Sequence, residues 1–207
     1  MNLQLTVLLT IIAYLIGSIP TGIVVAKILN APDPRAVGSG NIGATNVGRA
    51  AGKAAGIITL IGDVLKGFLI TLLALYILGS SSEANSPLAI SIVAFSVFLG
   101  HLFPVFLKFK GGKGVATTLG VFLAIGPFQA ILALILFIII VAIFKYVSVA
   151  SMIASVSIPL LLNLSPATSP YVPLAVIISV LIILKHSDNI KRLIQGTENK
   201  IGRKKGQ

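Results

Sequence analysis

Four long stretches of this chain contain no Asp, Glu, Lys or Arg: residues 3–26, 84–107, 114–144 and 146–184. About 20 apolar residues in a helix cross the hydrocarbon core of a bilayer. Each stretch is long enough for one crossing, and the last two for more than one. At that depth no water satisfies the backbone, so the runs must close their hydrogen bonds within themselves as helices. Only 10% of the residues are charged, against about 25% in a soluble domain. The chain therefore reads as an all-α integral membrane protein, one polytopic domain over residues 1–207.

The breaks within these runs set the span count. The first span covers 3–28 and carries Pro20 and Gly22, which can kink a membrane helix. With no basic segment ahead of it, it reads as a retained span rather than a cleaved signal. A polar loop from Asn30 to Lys53 follows, then a second span over 54–79, interrupted by Asp63 and Lys66. Those two lie three residues apart and so share a helical face, which reads as a structural pair. A loop over 80–86 leads to a third span, 87–107. The run 114–144 would make a helix of about 46 Å at 1.5 Å per residue, too long for one crossing. Gly126-Pro127 divides it into spans at 114–125 and 128–144, and Pro159, Pro166, Pro170 and Pro173 divide the last run into 148–164 and 171–185.

Seven spans place Lys27, Arg35, Arg49, Lys53, Lys108, Lys110, Lys113, Lys145 and the basic tail on one side, and loops 80–86, 125–128 and 164–171 on the other, with no Lys or Arg among them. The positive-inside rule then puts the N-terminus outside and the C-terminus in the cytoplasm, with 197–207 a flexible basic tail. The formal charge of +11 points to anionic partners. Because the basic residues sit at the ends of spans, membrane lipids fit and nucleic acid does not. There is no cysteine, and His101 and His186 lie far apart in sequence, so a His-rich metal site is not expected.

Polar residues concentrate in three segments beside that charge. The first is Gly38-Ser39-Gly40-Asn41-Ile42-Gly43-Ala44-Thr45-Asn46, followed by Arg49. It contains G-x-G-x-x-G, yet a membrane helix precedes it where a dinucleotide fingerprint needs a strand. Its physics is that of an anion nest: glycines turn backbone N–H groups inward, and a helix starting near Thr45 adds its first amides. The second runs from Gly100 to Thr117 and holds Lys108, Lys110 and Lys113 among glycines. It is not a Walker A loop, since Gly114 stands where Ser or Thr is needed. Lys113, between two glycines, reads as functional, while Lys108 and Lys110 read as positive-inside charge and His101 as a structural hydrogen bonder. The third is Lys185-His186-Ser187-Asp188-Asn189, in which His186 and Asn189 share a helical face. Lys145, Tyr146 and Ser148 stand at another helix end on the same side.

Together the motifs GSGNIGATNVGR (38–49), GHLFPVFLKFKGGKGVAT (100–117) and KHSDNIKRLIQG (185–196) resemble the bacterial acyl-phosphate:glycerol-3-phosphate acyltransferases, the PlsY family, over nearly the whole chain. The resemblance implies acyl transfer from acyl phosphate to the 1-hydroxyl of sn-glycerol 3-phosphate. The products would be lysophosphatidic acid and phosphate, made at the cytoplasmic face of a bacterial inner membrane, and because an acyl phosphate is already activated no cofactor would be required. An enzyme that makes acyl phosphate becomes a candidate partner. Carried over by motif, Gly38, Ser39, Gly40, Asn41, Gly43, Thr45 and Asn46 would bind the acyl phosphate. Arg49, Lys113, Ser148, His186 and Asn189 would bind glycerol 3-phosphate, with His186, Lys113 and Ser39 the catalytic set. Two routes stay open for the proton of the attacking hydroxyl: to His186, or to the leaving phosphate. Two other functions stay in view, a transporter for organic phosphate and a lipid-binding scaffold.

Overall fold

The computed structural model describes residues 3–79 and 86–201, and among these all regular structure is helical. Most of the 80–86 loop, and the tail beyond Ile201, lie outside the described residues. The sequence reads as one domain, whereas the structure divides at Ile125 into two compact units, Met1–Ile125 and Gly126–Gln207.

The first unit holds six α-helices: α1 (Leu3–Gly17), α2 (Thr21–Ile28), α3 (Ala44–Ala51), α4 (Lys53–Gly79), α5 (Ser86–Leu102) and α6 (Val115–Ile125). The first expected span is indeed broken. Pro20 supplies no N–H to the preceding turn, and α1 and α2 meet at 42°. In lipid, apolar side chains gain nothing by leaving one hydrocarbon for another, so helices associate through close packing of small residues. The seams of this unit show it. A methyl group at Gly17 of α1 would strike the backbone of Val97 on α5, and one at Gly100 of α5 would strike that of Tyr14. Gly67 of α4 lies against the Thr117 carbonyl of α6, and Gly120 of α6 against the Val64 carbonyl of α4. The 27-residue helix α4 is thus gripped at backbone distance by α6 and, through Gly48 and Gly56, by α3.

The second unit holds α7 (Pro127–Phe144), α8 (Val147–Leu162), α9 (Val172–Lys185) and α10 (Ser187–Ile194). Pro127 begins α7 at a position that needs no N–H, so the Gly126-Pro127 break falls where the sequence puts it. The α8–α9 connection is tied down by Thr168, whose hydroxyl donates to the Leu162 carbonyl at 2.7 Å. Ser179 of α9 donates to the Ser155 carbonyl of α8 at 2.5 Å. Such bonds cross helices where lipid offers no competing partner.

Large apolar side chains face outward along both units, among them Ile58, Leu69, Ile138 and Ile143. A water-soluble monomer does not carry contiguous surfaces of this kind; against acyl chains they cost nothing. Three helical stretches are long and apolar enough to cross a bilayer alone (Lys53–Gly79, Ser86–Leu107 and Pro127–Phe144), and two bent pairs raise the count to as many as five. α6 and α8 are shorter apolar helices.

Candidate functional site

The 30–43 loop is shaped from its first residues. Asp33 caps a short 3-10 turn over Pro34–Ala36 by accepting from the Arg35 N–H at 2.8 Å, and its carboxylate pairs with the Arg35 guanidinium at 2.6 Å. That pairing holds the Asp33 carboxyl below its ordinary range. Gly38 and Gly40 then take φ of +62° and +69°, a region in which a side chain is strained. At Gly38 a methyl group would also collide with Asn46 Oδ1.

Asn46 explains the shape of the turn. It is 2% exposed; its Nδ2 donates to the carbonyls of Pro34, Asn41 and Val37 at 2.7, 2.8 and 3.0 Å. Its Oδ1 accepts the Ser39 N–H at 2.9 Å. An amide with two hydrogens already shared among three carbonyls has no donor to spare, so Asn46 organises the loop from within. Asn41 Oδ1 accepts the Gly43 N–H at 2.8 Å, an Asx turn. Helix α3 then starts at Ala44 with Gly43 as its N-cap, which has no side chain to cap it. Ser39 and Thr45 are exposed at the turn and at this helix start, where backbone donors and dipole favour an anion. The Arg49 stem passes close to Gly38, which brings a guanidinium beside the same turn.

The second segment leaves α5 at Leu102. Lys108 and Phe109 both adopt left-handed backbone conformations, φ +50° and +63°, costing about 1–2 kcal/mol each. Hydrogen bonds from Leu107 and Phe109 to the Pro104 carbonyl, both 3.0 Å, hold them there. The Gly112 N–H donates to the His101 carbonyl at 3.0 Å, and Gly114, φ +85°, fits under the Phe98 ring. Lys113 is thus a half-buried side chain on a pinned backbone, while Lys108 and Lys110 are exposed. Asp63 and Lys66 pair as their spacing implies, at 2.8 Å, and His101 joins them with Nδ1 3.5 Å from the same carboxylate oxygen.

The second unit carries the remaining candidates. His186 is the joint between α9 and α10, which meet at 53°. It is buried, and its Nδ1 lies 2.8 Å from the Ile182 carbonyl. A carbonyl only accepts, so Nδ1 carries the proton, and Nε2 is the acceptor of the neutral ring. Ser148 at the start of α8 and Asn189 on α10 converge on one residue the sequence reading missed, Glu198. Its Oε1 accepts from Ser148 Oγ at 2.9 Å and from Asn189 Nδ2 at 2.6 Å, and its Oε2 accepts from Arg192 Nε at 2.8 Å. The segment 197–201, read from sequence as the start of a flexible tail, is tied further by the Ile201 N–H, which donates to the Lys145 carbonyl, and by Lys200 over the Tyr146 ring. A carboxylate past the end of α10 follows no helical period; the one signal for it is an acid standing alone in a basic tail.

Burial works against the Glu198 charge, but the hydrogen bonds from Arg192, Asn189 and Ser148 outweigh it and hold the carboxyl below its ordinary range. A depressed acid contributes stability above its unfolded value and loses it as pH falls through its folded one. Docking of 197–201 is therefore expected to persist at neutral pH and to weaken on acidification, as pH falls from the ordinary glutamate range through the depressed folded value. Glu198→Gln should loosen the segment at pH 7 and abolish this pH dependence, measured by hydrogen exchange of residues 195–201.

Proteins named for one activity resemble this chain along most of its length. A family model described as glycerol-3-phosphate acyltransferase matches residues 7–196. The glycerol-3-phosphate acyltransferase of Geobacter sulfurreducens is 47% identical over 193 residues, which is 93% of this chain and 96% of its own. That of Syntrophotalea carbinolica is 46% identical over 188 residues, 91% of this chain and 93% of its own. The crystal structure of PlsY (YgiH), an integral membrane glycerol 3-phosphate acyltransferase, in its glycerol 3-phosphate form, is 42% identical and matches with a TM-score of 0.88 over 95% of this chain and 96% of that one. Its lysophosphatidic acid form matches at 0.86, with 41% identity and 95% of each chain covered. Matched along nearly its whole length, this multi-pass membrane chain belongs to the glycerol-3-phosphate acyltransferase family.

Proposed function

We propose that the chain transfers an acyl group from an acyl phosphate to the 1-hydroxyl of sn-glycerol 3-phosphate, releasing lysophosphatidic acid and phosphate. The observation that carries this reading is the 38–46 turn. Two left-handed glycines and a buried asparagine fold the segment into a tight turn that ends at a helix start with no side-chain cap, on a chain of this family. That construction suits a phosphate that need not be held by metal. Gly38, Ser39, Gly40, Asn41, Gly43 and Thr45 hold the acyl phosphate, with Asn46 setting the turn. Arg49, Lys113, Ser148, His186 and Asn189 are assigned to glycerol 3-phosphate by motif.

An acyl phosphate is already activated, so the chain has only to align and neutralise. The hydroxyl oxygen attacks the acyl carbon, the acyl–phosphate C–O bond breaks, and the hydroxyl proton ends on the released phosphate. It travels directly or through His186 Nε2, which the Ile182 carbonyl orients. Lys113 and Ser39 stabilise negative charge as the bond breaks. Orientation of this kind can supply about 7–11 kcal/mol of the barrier.

Seven crossings, with the N-terminus outside and the polar loops at the cytoplasmic face of the inner membrane, complete the reading. The charge asymmetry of the loops supports it, as does the coincidence of all seven sequence-derived spans with apolar helices. The test is phosphate release by purified protein in detergent given acyl phosphate and glycerol 3-phosphate. Release that requires both substrates and yields lysophosphatidic acid is expected. No release from folded protein, or equal release without the glycerol substrate, would overturn the reading.

A further inference from the structure

The proposed chemistry leaves unused the most expensive group of residues in the first unit. Asp63 is 2% exposed, His101 5% and Lys66 8%. Ionisable side chains inside a membrane bundle are costly and persist where they do something an apolar residue cannot. Here three segments meet around the Asp63–Lys66 pair. From α4, Lys66 Nζ lies 2.8 Å from Asp63 Oδ1; from α5, His101 Nδ1 lies 3.5 Å from it; and the α1–α2 break enters through the Ile19 carbonyl, which accepts from Lys66 Nζ at 3.1 Å.

Both phosphate-binding loops of this unit rest on that cluster. A narrow cleft is lined by Asp63, Lys66 and His101 together with Ser18, Thr21 and Ile42, and Ile42 belongs to the 38–46 turn. On the other side the Nε2 corner of the His101 ring abuts Gly112: a methyl group there would run into Nε2. The His101 carbonyl accepts the Gly112 N–H at 3.0 Å. His101 therefore grips Gly112 by backbone and by side chain, one residue before Lys113.

We propose that Asp63, Lys66 and His101 are positioning residues for acyl transfer: the ion pair fixes the His101 ring, and the ring fixes the Gly111-Gly112-Lys113 backbone that presents the Lys113 ammonium. The proposal rests on the reaction assigned above. It differs from a helix-joining role because it acts through one contact, ring on glycine, and that contact can be broken from either side.

Gly112→Ala is expected to lower kcat/KM for glycerol 3-phosphate about 100-fold, the cost of misplacing a binding group by about an ångström. His101→Ala empties the space into which the new methyl must go. The double variant His101→Ala/Gly112→Ala should therefore be at least tenfold more active than Gly112→Ala alone, while His101→Ala by itself should already lower kcat/KM with the exchange of α1 and α5 unchanged, which a purely structural histidine would not do. In parallel, Asp63→Asn, which keeps shape and removes charge, should raise hydrogen exchange at residues 111–114 while the helices α1 and α5 stay protected. A double variant no more active than Gly112→Ala, or unchanged exchange at 111–114 in Asp63→Asn, overturns the proposal. A wild type without turnover would strike the assigned reaction instead, and the exchange measurement would still decide the positioning.

Discussion

Lys113→Met is expected to lower kcat/KM about 10²–10³-fold, the loss seen when one preorganised donor to developing negative charge is removed. The expectation comes from how the side chain is carried. Gly112 on one side is clamped by the His101 carbonyl, and Gly114 on the other sits under Phe98 in a conformation a larger residue cannot take without strain. A flexible four-carbon stem on so fixed a base delivers its ammonium to a small volume, at little reorganisation cost during the reaction. Lys113→Arg should restore little of the loss, because a planar guanidinium is wider and binds as a fork rather than as a point charge. Lys108→Ala and Lys110→Ala provide the contrast. Both lysines are exposed, so their removal should change rates only a few-fold, by an amount that falls as salt rises. Initial rates of phosphate release for the four variants, at two ionic strengths, check all of this. Equal losses at Lys108, Lys110 and Lys113 would mean that the loop acts as a diffuse basic patch.

The helices could be read from the sequence because lipid imposes a simple demand, an uninterrupted apolar run, and punishes anything else. Breaks at Pro20 and Gly126-Pro127 followed for the same reason: each residue changes what the local backbone can donate. Side-chain destinations were legible only where neighbours in sequence decide them. Asp63 and Lys66, three apart on one helix, meet as expected. The inward hydrogen bonds of Asn46 could not be read, because its partners at Pro34, Val37 and Asn41 come round only when the 38–46 turn closes. Glu198 was invisible because its partner Ser148 lies 50 residues away. The glycine seams of α1, α4, α5 and α6 also escaped notice, since a small residue in an apolar run announces a close approach but not the helix that makes it.

Charge burial gives the largest stability effect expected. Asp63→Ala or Lys66→Ala alone should destabilise the first unit by about 3–5 kcal/mol, because each leaves the opposite charge buried without its partner. Replacing both at once, Asp63→Leu with Lys66→Met, removes the two desolvation costs together with the attraction. Such swaps are commonly neutral or stabilising, and His101, as an imidazole, can remain neutral beside them. Detergent unfolding, followed by helical circular dichroism, should therefore order the proteins with the double variant near wild type and both single variants well below. Turnover should not follow that order. If the ion pair exists to hold the His101 ring against Gly112, the stable double variant loses activity along with the singles. A fold restored without its rate would separate what the buried charges do for the helices from what they do for Lys113. A double variant that recovered both would make the pair a relic of packing alone.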